Sequence, residues 1–408
     1  MALVLEGGRL IDGSGRDPVA GIGVVVEGER IAAVGGQRPR DAEVLEVTGL
    51  TVLPGLIDLH THLGILSVGD PEAMPAAVAA AQLFRNAELC LRSGHTTARE
   101  VAGADGGLRQ AIDAGLVAGP RLFPSGPALC QSGGHGDLGP AFLPHRHDPG
   151  VPGLAQMSIV CDGPDQVRAA ARTAFRRGAT QLKVIISGGV VSLTDRLEDT
   201  QFTVQELRTA VVEARARDTY VTGHAHNVAS IRNGLEAGLE CFEHGTFLDE
   251  PTAAQMAAAG AALVPTLTAT RLLATEWRAW GVPEAVLPRV AGAEEAMREA
   301  VKIAYAAGVT VGSGTDILGP EQHRRGLEVA LKAEIVGPME AIVSATATNA
   351  RILRRDHELG TVEPGKLADL IAVAGDPLTD PTVFDDPDRV LLVLQGGRVV
   401  KDTRSQAV

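Results

Sequence analysis

Short apolar runs, each closing on a polar side chain, recur along the middle of this chain. "GLIDLHTH" closes on His60 and His62, "QLKVII" encloses Lys183, "YVTGHAH" closes on His224, "CFEHG" on His244 and "VTVGSGTD" on Asp316. Each run reads as a strand. Helical patterns lie between them, such as "TVQELRTAVVEARARD" at 203–218, with apolar or small residues at i, i+3, i+4 and i+7. Several helices end in glycine and run directly into a strand, at Gly94, Gly178, Gly238, Gly260 and Gly308. Glycine suits the left-handed position just past a helix. The alternation predicts an α/β fold of parallel strands with crossover helices, and the segment 56–356 has the size of a (β/α)8 TIM barrel. An open doubly wound sheet is the alternative. It would not easily bring the ends of the first, middle and last strands to one place.

The two ends of the chain echo each other. "LVLEGGRLI" at 3–11 and "LVLQGGRVV" at 392–400 both read as strand, Gly-Gly turn, strand. "GVVVEGERIAAVG" at 23–35 repeats the style, and "ADLIAVAGDP" at 368–377 adds a strand. We therefore expect residues 1–55 and 357–408 to pair into one small β-sandwich flanking the barrel, the alternative being two independent edge hairpins. The stretch 130–156 breaks the rhythm with Gly, Pro and His. It is too long for an ordinary connection and reads either as a loop covering a site or as an insertion.

Composition narrows the function classes. The chain has 408 residues and a net charge of -13, which argues against a nucleic-acid partner and for a small-molecule substrate. Its four cysteines, Cys90, Cys130, Cys161 and Cys241, lack metal-type spacing and read as reduced thiols of a cytoplasmic protein. The start "MALVLEGGRLIDG" has no basic region and is not read as a signal peptide. No apolar run approaches the ~20 residues of a membrane span.

The chemistry rests on the polar strand ends. His60 and His62 are two apart, so a strand presents both on one face. With His224, His244 and Asp316 they make an imidazole and carboxylate set that suits Zn²⁺, and also Mn²⁺, Fe²⁺ or Co²⁺. Lys183 is the odd member, because an ammonium in "QLKVII" is costly to bury. Burial lowers a lysine pKa, and a neutral amine can add CO₂ to become a carbamate that bridges two metal ions. A snorkelling or ion-paired lysine is the other reading.

These pieces, with "GHTTARE", "LKVIISGG", "SATATNARIL" and "GTVEPGKLADLIAV", give the chain an end-to-end resemblance to the amidohydrolase superfamily. It is similar to the imidazolonepropionase-like branch, and within it to the Xaa-Pro and Xaa-Arg dipeptidases, whose "SGGH" appears here as Ser132 to His135. The resemblance implies that His60, His62 and Asp316 hold the more buried of two metals and that His224 and His244 hold the second. It implies a carboxylated Lys183 and a hydroxide as bridges, Asp316 as general base, and His135 as the group that polarises the scissile carbonyl. It also implies a homo-oligomer.

Two departures stand out. The dipeptidase group reads "HAY" where this chain has "HAH", so His226 takes the place of a tyrosine expected to contact substrate, and Glu100 stands where Asp is usual. His145 and His147 read as pocket-lining or surface residues, and His95 and His357 as structural. His323, Arg324 and Arg325 follow Asp316 closely, as a solvated run or as contacts for a substrate carboxylate. The expected function is hydrolysis of a C–N bond in a dipeptide or N-acyl amino acid. The alternatives are a cyclic amide, carbamate or xenobiotic amide as substrate, or a metal-free scaffold.

Overall fold

The computed structural model describes residues 2–66, 74–138, 150–151, 154–192, 195–278, 280, 282, 284–319 and 321–406. Its contacts divide the chain into two compact units. One comprises residues 59–87 and 99–322; the other comprises residues 1–58, 88–98 and 323–408.

The first unit is built on a seven-stranded sheet in the order Ser158–Val160, Ala128–Cys130, Leu182–Ile185, Val221–Ala225, Cys241–His244, Ala262–Val264, Thr310–Val311, and every neighbouring pair is parallel. Helices alternate with the strands because the apolar spacing requires it. Val204–Arg215, for example, buries Leu207, Ala210, Val211 and Ala214, and it starts at a Thr203–Glu206 capping box. The five punctuating glycines all take positive φ, from +65° at Gly260 to +95° at Gly238. Backbone bonds continue the sheet at both ends. Leu59 N donates to Ser313 O (3.0 Å) and Asp316 N to His60 O (2.8 Å), while Val101 N donates to Thr61 O, Ser125 N to Glu100 O and Thr180 N to Pro124 O. The ladder thus returns on itself, and the parallel sheet fits a barrel. Its core packs Leu182, Val184, Phe242, Leu263 and Val311 against helix residues such as Ala171, Ala214 and Met256.

The second unit joins the chain ends. Leu50–Pro54 runs antiparallel to Leu370–Ala374 within a six-stranded sheet that also takes in Val390–Gln395 and Arg398–Asp402. The two chain ends therefore pair with each other. The "LVLQGG" repeat is a true hairpin, with Gly396 and Gly397 both at positive φ. Its N-terminal echo is not. Ala2–Glu6 pairs with Val24–Glu27 and Glu43–Glu46 in a four-stranded sheet, whereas Arg9–Leu10 joins the six-stranded one. Only Gly7 of that Gly-Gly pair has positive φ, so the chain crosses between sheets there instead of reversing. Leu5, Val26 and Leu45 of the smaller sheet share a buried cluster with Val52, Leu370 and Leu392 of the larger.

Candidate functional site

Strand Leu56–Thr61 ends at the residues that begin the site. His60 and His62 are buried, and each has one ring nitrogen committed. His60 Nδ1 donates to Glu243 Oε2 (2.8 Å) and His62 Nδ1 to the Ala102 carbonyl (2.8 Å). Neither acceptor has a proton to give: a backbone carbonyl carries none, and Glu243 is ionised. Burial pushes its carboxyl up, but Arg99, Lys183 and His60 prevail and hold it well below the usual range. The two Nε2 atoms are thereby left as lone-pair donors, 3.1 Å apart. Asp316 Oδ1 stands 3.4 Å from one and 3.1 Å from the other. Burial disfavours the Asp316 carboxylate, but the histidines hold its pKa well below the ordinary value.

A second group lies on the next strands. The register aligns Ile185 with His224 and Ala225 with His244. His224 Nδ1 is 2.8 Å from His244 Nε2, and His244 Nδ1 is 2.8 Å from Thr266 Oγ1. His226 stacks on His244 with ring centres 4.6 Å apart, and its Nδ1 meets Thr246 Oγ1 at 2.8 Å. Burial, and then the neighbouring imidazoles, push His224 and His244 well below the ordinary pKa; burial takes His226 to about 3. Neutral imidazole is the form that binds a cation. His62 differs: burial disfavours its charge, but the hydrogen bond and charge of Asp316 outweigh this and raise its pKa, so a proton and a cation compete for its Nε2.

Among the described residues, two sets have ligand atoms mutually within 4.8 Å: His60, His62 and Asp316, and His224, His226 and His244. His244 (φ +65°) and Asp316 (φ +55°) are both non-glycine residues in the left-handed region, a conformation that costs of order 1–3 kcal/mol and clusters at functional sites. At His244 it ends the strict alternation of the strand, so Glu243 reaches His60 while His244 meets His224.

Lys183 lies on the same cavity, 3% exposed, and its Nζ has no hydrogen-bond partner among the described residues. Burial lowers its pKa to about 8. His135 also lines the cavity, stacked on His224 at 4.7 Å between ring centres, with its Nδ1 3.9 Å from Asp195 Oδ2. The cavity measures about 190 Å³, against the ~10–15 Å³ that admits one water, so it accommodates a small organic molecule. His135, Leu138 and Gln156 from the 130–156 stretch border it. His145 and His147 lie outside the described residues.

The structure thus gathers His60, His62, His135, Lys183, His224, His226, His244 and Asp316 around one cavity. Arg324 makes a bidentate pair with Asp385, and Arg325, with no exposed surface, pairs with Asp58. Neither arginine nor His323 is among the described residues that line the cavity. His95 is buried beside Ser93, while His357 is exposed near Glu358. All four cysteines are buried, and none is in a disulfide.

Glu243 and Arg99 were not read from the sequence. Arg99 is wholly buried, gives Nη2 to Glu243 Oε1 (2.5 Å) and also donates to Leu59 O and Tyr220 Oη. The signal was the Glu of "CFEHG", a charge in a fully buried strand. Glu100 accepts from Leu63 N, Ala104 N and Thr61 Oγ1, each at 2.9 Å, which fixes the loop after His62.

Comparison with known proteins agrees with this geometry. The amidohydrolase family profile matches residues 51–400. Ochratoxinase from Aspergillus niger is 31% identical over 98% of this chain and 86% of its own. A crystal structure of a prolidase complexed with N-methylphosphonate-L-proline superposes with a TM-score of 0.92 at 37% identity, covering 98% of this chain and all of that one. A Xaa-Pro dipeptidase with bound methionine gives 0.89 at 32%, with the same coverage. No helix among the described residues is long and apolar enough to cross a membrane. The chain belongs to the amidohydrolase family and is a hydrolase of carbon–nitrogen bonds.

Proposed function

We propose that this chain is a binuclear metal-dependent amidohydrolase acting on a dipeptide or an N-acyl amino acid. The observation that carries the reading is the convergence of His60 Nε2, His62 Nε2 and Asp316 Oδ1, three lone-pair donors within 3.1–3.4 Å. Such a set needs a cation between them. His60, His62 and Asp316 would hold one divalent ion, zinc by preference; His224 and His244 would hold the second, with Lys183 between the pairs. The ions would supply Lewis acidity for the carbonyl and a lowered pKa for water. The buried Lys183 amine, with its pKa near 8, suits loss of a proton and addition of CO₂ to give a carbamate.

The protein's own groups do the rest. Asp316, partly open to the cavity, takes the proton of the attacking water and returns it to the leaving nitrogen. His135 and His226 face the same space and orient the carbonyl. The frame we propose for this site is the complete (β/α)8 barrel of residues 56–356, with the chain ends, 1–55 and 357–408, forming a β-sandwich. The cysteines, none in a disulfide, suit a cytoplasmic protein, and the family resemblance suits a homo-oligomer. Metal analysis and the Lys183→Ala variant test the reading. We expect two ions per chain, with loss of bridged metal and of activity in Lys183→Ala. Partial rescue by a short carboxylic acid plus metal supports the carbamate. A metal-free protein after growth with zinc overturns the proposal.

A further inference from the structure

Away from the histidines, the cavity wall is largely apolar. Leu66, Val190, Leu273, Trp280, Met297 and Leu318 line it. Trp280 is 4% exposed, and its indole Nε1 has no hydrogen-bond partner among the described residues. A buried indole N–H normally finds an acceptor, and leaving one unmade is costly. An acceptor carried by an apolar ligand satisfies both the N–H and the wall.

The wall is also tied to the reacting end. Met297 Sδ lies 3.3 Å from Thr266 N, and Thr266 Oγ1 meets His244 Nδ1 at 2.8 Å. A group seated on Met297 and Trp280 therefore has its position fixed relative to the imidazoles, which is how remote binding orients a scissile bond.

We propose that Trp280 is a specificity-determining residue. It forms, with Leu273 and Met297, a subsite for a large apolar, preferably aromatic, arm of the amide substrate, and its N–H meets an acceptor on that arm. The inference rests on amide hydrolysis at this site and narrows it toward N-acyl aromatic amino acids over small polar dipeptides.

The chain has only two tryptophans, Trp277 and Trp280, so Trp277→Phe leaves Trp280 as the single indole emitter. The zinc-loaded Trp277→Phe protein is titrated with N-benzoyl-L-phenylalanine and with N-acetylglycine, following indole emission and hydrolysis. Saturable quenching by the benzoyl compound is expected, with kcat/KM higher by roughly 10²-fold than for N-acetylglycine. In the two-tryptophan chain, Trp280→Phe keeps the ring body and removes the N–H. It is expected to lower kcat/KM for the benzoyl compound by about 2–10-fold, mainly through KM, and to leave N-acetylglycine within about twofold. Equal losses for both substrates, or hydrolysis with no emission change, overturns the subsite and spares the amidohydrolase reading. Saturable quenching without hydrolysis of any amide keeps the subsite and overturns that reading. Neither binding nor hydrolysis overturns both.

Discussion

Glu243 shows what one buried side chain contributes to a site it does not line. Its two oxygens join Arg99 to His60 and so fix which ring nitrogen of His60 carries the proton. A carboxylate behind a ligating histidine raises its basicity and sets its orientation. Glu243→Gln is expected to weaken metal retention by roughly 10–100-fold, read by competition with a chelator, while secondary structure is preserved. Glu243→Ala should also destabilise the fold by about 3–5 kcal/mol in denaturant unfolding, because it leaves the Arg99 charge buried and unpaired. Unchanged chelator competition in both variants would make the triad a packing feature only. His60, His62, His224, His244 and Asp316 were legible because ligand types at strand ends form a pattern. Glu243 was not, since its partners His60 and Arg99 lie far off in sequence and only folding brings them near. Trp280 was silent for the same reason: a lone indole has no period.

Among the elements, the strand end after Leu182–Ile185 sets how closely His135 can approach. A Cβ at Gly189 would lie 2.1 Å from His135 Cε1 and 2.3 Å from its Nδ1. Gly189→Ala must therefore displace the ring from its stack on His224. We expect kcat/KM to fall by about 10²-fold, the scale of an ångström-sized misplacement, with metal content and helix signal unchanged. Wild-type kinetics in that variant would remove His135 from the carbonyl-orienting role. The strands and crossover helices were readable from period and from their glycine stops. The Gly-Gly echo misled because the two copies look alike in sequence. What separates them is the φ of the second glycine, which depends on which sheet receives the next strand.

At the scale of the whole molecule, stability against pH carries the signature of buried charge. Lys332, in the unit made from the chain ends, has no exposed surface; its Nζ lies 3.3 Å from Ser344 Oγ and 4.0 Å from Glu328 Oε1. Burial lowers its pKa to about 8. Below pH 8 the folded and unfolded chains both carry the proton, and the folded state bears its desolvation. Between pH 8 and roughly 10.4 the folded chain has released a proton that the unfolded chain still holds, so stability rises with pH across that window. Urea unfolding at pH 7 to 10 should show the rise, and Lys332→Met should flatten it. An unaltered slope in the variant would assign the rise elsewhere. The backbone ladder that closes between Leu59 and Ser313 has a further consequence, in time. His224 and His244 emerge from the ribosome 20 residues apart, so their half of the site can assemble early. Asp316 follows His244 by 72 residues, about 4–14 s of synthesis at roughly 5–20 residues per second. Until it arrives, His60 and His62 wait on an open edge strand with their third partner unmade. The seam that completes the sheet therefore also completes the first cation site, and the two halves of the centre have different birthdays in the life of each chain.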